Sequence, residues 1–213
     1  MSRFDLLLLE IPLDDVHADR IVARDGSGDV KTISEAVNRA PKNASRAFVV
    51  FIKAGMVLVF LFSGYAENNL TIWQTKTNLW LLGEGIETNI ITGKKCASGG
   101  VAVEGARLVA RGITFLNEAG PEMGQAVALL VMADRTVLHQ CEILATKDLK
   151  PVKSTYPTYL GSPWSVRSRV SYISSYLGDH IDPRGWLAWD GTSPTDKLYY
   201  GEYKNFGLGT DTM

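Results

Sequence analysis

The sequence predicts an all-β chain of short strands, either wound as stacked coils or packed as two sheets. Three observations point that way. Runs rich in β-branched and aromatic residues recur along the chain. Gly, Asn and Asp punctuate them at intervals of about 20 residues, the spacing of a repeating coil. Only one stretch carries a clear helical period. With 213 residues, 46% of them hydrophobic, the chain holds enough apolar material for one domain with a sizeable core.

In chain order, "MSRFDLLLLEIPLDD" opens with an apolar patch of about four residues that Asp5 precedes and no small-residue cleavage site follows, which makes it a poor signal peptide. "KTISEAVNRAP", Lys31 to Pro41, is the helix: Ile33, Ala36 and Val37 share a face, Thr32 or Ser34 caps it, and Pro41 ends it. Strand runs follow at "AFVVFIKAG", "NLWLLGEG", "NIITG", "GVAVEGARLVARGITFLNEAG", "QAVALLVMADRTVLHQCEIL" and "RVSYISSYLGDHID". Val101 and Val103 alternate with small or charged neighbours, whereas Ile113 to Phe115 and Val127 to Val131 are almost continuously apolar, as in strands buried on one or both faces. Strand pattern alone leaves a β-solenoid and a β-sandwich equally open.

Composition narrows the function. The 22 basic and 23 acidic residues leave a net charge of -1, so nucleic acid is not an expected partner. The longest apolar run, "MVLVFLF" at Met56 to Phe62, is far below the roughly 20 residues that span a bilayer, so no membrane segment is expected. Cys96 and Cys141 allow at most one disulfide, and two buried thiols fit equally well. The triplets Asn43-Ala44-Ser45 and Asn69-Leu70-Thr71 match glycosylation sequons, weak support for a secreted chain. His17, His139 and His180 lack zinc-ligand spacing, "DGSGD" at Asp25 to Asp29 lacks the Lys-Ser/Thr of a phosphate loop, and Asp179 and Asp182 beside His180 are a minor acid–base candidate.

Four longer motifs decide between the folds. "VARDGSGDVKTISEAVNRAP" (Val22 to Pro41), "GITFLNEAGPEMGQAVAL" (Gly112 to Leu129), "YPTYLGSPW" (Tyr156 to Trp164) and "GDHIDPRGWLAWDG" with "LYYGEYKNFG" (Gly178 to Gly207) together resemble plant pectinesterases, in the family's order and over most of the chain from Ile21. The resemblance implies a right-handed, single-stranded parallel β-helix of the pectin lyase-like kind, here shortened: residues 1–20 as a poorly ordered N-terminal segment and 21–213 as an incomplete pectinesterase-like domain. It also implies a secreted, monomeric cell-wall protein that hydrolyses methyl esters of pectin, methyl-esterified homogalacturonan, with neither metal nor organic cofactor.

In that family an aspartate attacks the ester carbonyl, a second aspartate serves as acid and then base, glutamine amides hold the oxyanion, and an arginine orients the nucleophile. Gln125, in "QAVAL", corresponds to an oxyanion glutamine. After "CEILA" the family continues with a Tyr-Gln-Asp group and later a Val-Asp-Phe group that carries the nucleophile. Here Ala145 runs into "TKDLKPVKS", which matches a later segment of the family, and no Val-Asp-Phe string occurs. Asp148 is the only candidate for the acid, and a surface-turn aspartate is the reading the string favours. Ser162 replaces the arginine of the family's Gly-Arg-Pro-Trp and has no charge with which to pair a carboxylate. Trp164 remains as the aromatic that packs on a sugar ring, or as an ordinary loop aromatic.

Two further departures accompany the missing segment. Gly55 and Gly64 resemble two copies of one turn with apolar residues 56–63 inserted between them, an insert expected to protrude or to form an extra strand. "GKKCASGGVAV" lacks the Thr-Phe-x-Ser-Ala-Thr subsite. Three readings follow: an active esterase in which Asp148 or another carboxylate has taken over, a non-catalytic pectin-binding homologue, and a truncated gene product without function.

Overall fold

The computed structural model describes residues 11–59, 70–93, 101–117, 128–144, 159–162, 168–188 and 197–211. Strands β1 (Arg20–Val22), β2 (Phe48–Ile52), β5 (Leu79–Gly83), β8 (Val109–Arg111), β11 (Thr136–His139), β13 (Arg169–Ile173) and β14 (Tyr199–Tyr203) pair in that order as sheet A. Sheet B runs β3 (Met56–Val59), β6 (Asn89–Gly93), β9 (Thr114–Asn117) and β12 (Glu142–Leu144), and sheet C runs β4 (Leu70–Ile72), β7 (Val101–Val103) and β10 (Leu129–Val131). Every one of these strand pairings is parallel. The chain visits A, B and C in turn, so the fold is a parallel β-helix and the sandwich is excluded.

Turn chemistry sets the coil. Trp80, Val109 and Val137 stand at one register position of sheet A, 29 and 28 residues apart. Leaving sheet A toward sheet B, Gly112, Gln140, Ser174 and Lys204 each take a positive φ of 47 to 64°. Such a residue bends the chain sharply while both flanking strands keep their ladders. Gly83 is required for a different reason: a Cβ there would lie 2.5 Å from the carbonyl oxygen of Gly112 on the next coil.

The interior is filled by one column per sheet. In sheet A, Val50, Leu81, Ala110, Leu138 and Tyr172 are aligned by register and all lie in the main core. Phe115 of sheet B and Ile72 of sheet C are fully buried with them. Each such side chain contributes roughly 1.5–3 kcal/mol by leaving water. Sheet A is also apolar on its outer face, where Trp80, Leu82, Val109 and Val137 form a second cluster against which Leu13 and Val16 pack. This explains why "LWLLG" shows no polar alternation: all five residues of β5 are buried.

The helix α1 (Ile33–Arg39) follows the sequence expectation. Thr32 Oγ1 accepts from the Glu35 amide at 3.1 Å, Glu35 pairs with Arg39 at 2.7 Å, and Ile33, Ala36 and Val37 are buried. Lys76 then closes its C-terminal end by donating to the carbonyl oxygens of Asn38 (2.8 Å) and Ala40 (2.5 Å). The run read as an insert meets one of its two expected outcomes over part of its length. Met56–Val59 is the extra strand, β3, and pairs along its whole length with β6, while residues 60–63 lie outside the described residues.

Candidate active site

Gln125, Asp148 and Trp164 all lie outside the described residues; Gln125 stands four residues before β10 at the end of sheet C, Asp148 four residues past β12, and Trp164 two past Ser162. The described framework around them is sharply defined on two sides. In sheet A, β11 pairs directly with β13, with Leu138 opposite Tyr172, so the chain crosses from Leu144 to Arg169 without a break in that ladder. Sheet B continues from Glu142 through single bridges to Tyr176 and on to Phe206. In sheet C, among the described residues, β10 pairs only with β7.

The next described segment in the chain is Tyr159–Ser162, which makes a parallel bridge from Gly161 to Trp186. The Leu160 amide donates to the Gly185 carbonyl oxygen (2.8 Å) and the Leu187 amide to the Gly161 carbonyl oxygen (2.9 Å). Gly161 brings its backbone against the Trp186 ring, where a Cβ would sit 3.2 Å from the nearest ring atom. Trp186 is fixed on its other sides by Tyr172 and Tyr200, with ring centroids 5.7 and 4.6 Å away, and by an indole N–H that donates to Glu202 Oε1 at 3.1 Å. Tyr172, buried, donates its hydroxyl to the Leu160 carbonyl oxygen at 3.1 Å, and burial pushes its phenol well above the ordinary value. Ser162 follows, half-buried and uncharged.

Among the described residues none of the alternative chemistries assembles. Arg184 engages Asp182 through Nε (2.9 Å) and Nη2 (3.1 Å), and its guanidinium lies 5.0 Å from the ring centre of Tyr159, whose hydroxyl it also contacts. The Arg184 side chain and backbone hold the Asp182 carboxyl down at about 2, so it stays ionised and paired rather than shuttling protons. Asp179 is exposed, and burial lowers the His180 imidazole below its usual value. His17 is exposed and His139 buried, and no cluster of three possible metal ligands occurs among the described residues. Burial raises the Cys141 thiol to about 12, which makes it inert. Cys96 lies outside the described residues. The carboxylate that sequence reasoning passed over is Glu142. Burial raises it, a nearby Glu87 adds to the effect, and the Thr114 hydroxyl donates to it at 3.1 Å. It stands in sheet B, away from the sheet C face.

Parallel coils and a strand-like segment joined to a partly buried aromatic nest define a protein of the parallel β-helix class. The chain belongs to the pectinesterase family. A family model described as Pectinesterase matches residues 19–148 and, as a second segment, 136–213. The chain is 35% identical to Probable pectinesterase/pectinesterase inhibitor 61 of Arabidopsis thaliana over 293 aligned positions, covering 99% of this chain and 49% of that protein. Against the Pectinesterase of Daucus carota it is 33% identical over 275 positions, covering 90% of this chain and 83% of that one. The solved pectin methylesterase from carrot superposes with a TM-score of 0.52 at 32% identity, covering 92% of this chain and 84% of the other. A pectin methylesterase solved with a hexasaccharide superposes at 0.51 with 17% identity, a likeness of fold. The chain spans about half the length of most of the curated relatives it matches. The alignment of 293 positions exceeds the 213 residues of the chain by 80, so that many positions of the Arabidopsis relative have no counterpart here.

Proposed function

We propose that this chain binds methyl-esterified pectin on the sheet C side of its β-helix and hydrolyses it little or not at all. The observation that supports this most directly is the set of 80 unmatched positions, together with a family match that falls into two segments meeting at 136–148. At 28 or 29 residues per coil, 80 positions are close to three coils, and on our reading they include the family's Tyr-Gln-Asp and Val-Asp-Phe groups, strings that do not occur in this sequence. Gln125 would remain as an oxyanion donor with no tetrahedral intermediate to hold, Trp164 as a stacking platform for a sugar ring, and Asp148 as the one candidate acid. Ser162 supplies no cation where a nucleophile would need one. The chain acts as a secreted cell-wall monomer, as the family does.

Methanol release from methyl-esterified homogalacturonan tests this. Losing the nucleophile of a covalent mechanism costs roughly a millionfold in turnover, and binding with oxyanion groups leaves about 10³ to 10⁴ over water. The expected rate is therefore close to background, and Gln125→Ala leaves it unchanged. A rate near that of a complete relative, abolished by Asp148→Asn, overturns the proposal. A transcript carrying additional in-frame sequence between Leu144 and Pro151 would place the loss in the gene product rather than the gene.

A further inference from the structure

The turn that leads from sheet C into sheet A repeats on successive coils, and register fixes what stands beside what. Two residues before the aligned Trp80, Val109, Val137 and Ser171 stand Asn78, Arg107, Arg135 and Arg169, and Arg169 is itself opposite Tyr199. Asn78, Arg107 and Arg135 have φ of 56, 62 and 60°, and the amides of Asn78 and Arg107 donate to Ala106 and Asp134 on the next coil at 3.0 and 2.9 Å. Three arginines thus stack on three consecutive coils, at the strand spacing of about 4.8 Å. All three are exposed. Among the described residues Asp134 pairs with two of them, its oxygens lying 3.1 Å from Arg135 Nε and 3.5 Å from Arg169 Nε.

Backbone conformation does not explain the arginines. The left-handed region favours Asn or Gly, and the chain uses Asn at the first step of the column. Arg107 and Arg135 accept an unfavourable backbone and place charge on charge. In the neighbouring column, just past sheet C, stand Trp73, Glu104 and Met132, with Trp73 56% exposed. Tyr199, 59% exposed, ends the arginine column. The result, among the described residues, is a strip of three guanidinium groups with Asp134 paired to two of them and Glu104 in the neighbouring column, a local excess of positive charge flanked by two exposed aromatic rings on a chain of net charge -1.

From this register we infer a second binding strip, one that takes a linear polyuronate bearing free carboxylates. Guanidinium forks grip carboxylates in two-point contacts, a linear polyuronate carries one carboxylate per sugar along its length, and aromatic rings accept sugar faces. Methyl esterification removes the charge, so the strip recognises the de-esterified polymer, whereas the sheet C side is proposed to take the ester. The choice of a galacturonate polymer as probe rests on the proposed pectin reading.

The test compares fully de-esterified polygalacturonate with fully methyl-esterified homogalacturonan, titrated against the intact chain at low ionic strength. The variant Arg107→Asn/Arg135→Asn/Arg169→Gln removes the charge with residues that suit the backbone, Asn in particular being the one already at position 78. Circular dichroism and the melting temperature verify that it folds. Affinity for polygalacturonate is expected to fall about tenfold, the joint effect of three exposed charge pairs of ordinary strength, and added salt should erase the difference. Binding of the esterified polymer should not change. Wild-type affinity for polygalacturonate in the folded variant, or an equal loss for both polymers, overturns the strip. If the chain binds polygalacturonate through the arginines but ignores the esterified polymer, the strip stands and the proposed ester-binding side fails.

Discussion

Leu138 sits at the seam where β11 meets β13, between Ala110 on one coil and Tyr172 on the next, and it is 0% exposed. Truncation to Ala would set two alanines side by side and leave the Tyr172 ring facing a void. Leu81, also 0% exposed and also beside Ala110, occupies the same column two coils earlier, on the other side of Ala110. Buried Leu→Ala changes cost about 2–5 kcal/mol, the upper half applying where neighbours cannot collapse into the space. Strands anchored on both sides collapse poorly, so both variants are expected at about 3–5 kcal/mol by that scale. Urea unfolding followed by tryptophan fluorescence measures both, and equal costs within about 1 kcal/mol, the coupling scatter expected of similar sites, would show that the seam is packed like any other coil boundary. A loss below about 1 kcal/mol for Leu138→Ala beside a full loss for Leu81→Ala would refute that packing and the claim that whole coils are missing.

Two other outcomes follow from particular contacts. Arg46, and then the Val49 amide, hold the Asp19 carboxyl below its ordinary value of 3.8 against the opposing effect of burial. A depressed carboxyl stabilises the fold above its unfolded value and loses that contribution as pH falls through the folded one. Asp19→Asn should therefore cost about 1 kcal/mol at neutral pH and progressively less below about pH 4, whereas parallel pH–stability curves for the two proteins would contradict the assignment. Deleting residues 56–63 removes β3 and bares the edge of β6, so the melting temperature should fall and aggregation rise. An unchanged melting temperature with higher solubility would restore the view of that run as surplus.

What the sequence made legible was local. Thr32, the Ile33, Ala36, Val37 face and Pro41 sufficed for the helix because caps and period act within one turn. The strands were legible because their residues are β-branched or aromatic. Coil and sandwich were inseparable by pattern because both bury alternate residues, and the difference lies in which distant strand each one pairs with. The run at Met56 was read as excess because two similar turns flank it, whereas its role as β3 depends on a partner more than 30 residues away. The arginine column was invisible for the same reason, since Arg107, Arg135 and Arg169 are unremarkable until register aligns them. At the candidate site the informative signals were departures from a familiar motif, above all Ser162, and these needed the resemblance rather than any periodicity.

Among the described residues sheets A and B run on past Leu144, and no described strand extends sheet C beyond β10. A solenoid shortened in this manner resembles a book with a chapter removed and its binding intact. Loss of catalytic residues and loss of architecture are separate events in such a protein, because excision at matching points of the winding deletes chemistry and rejoins like to like. Ancestry and shape are then inherited whether or not the chemistry is. Within this lineage, resemblance of outline is a record of descent, and fitness for the original task has to be counted winding by winding along a single face.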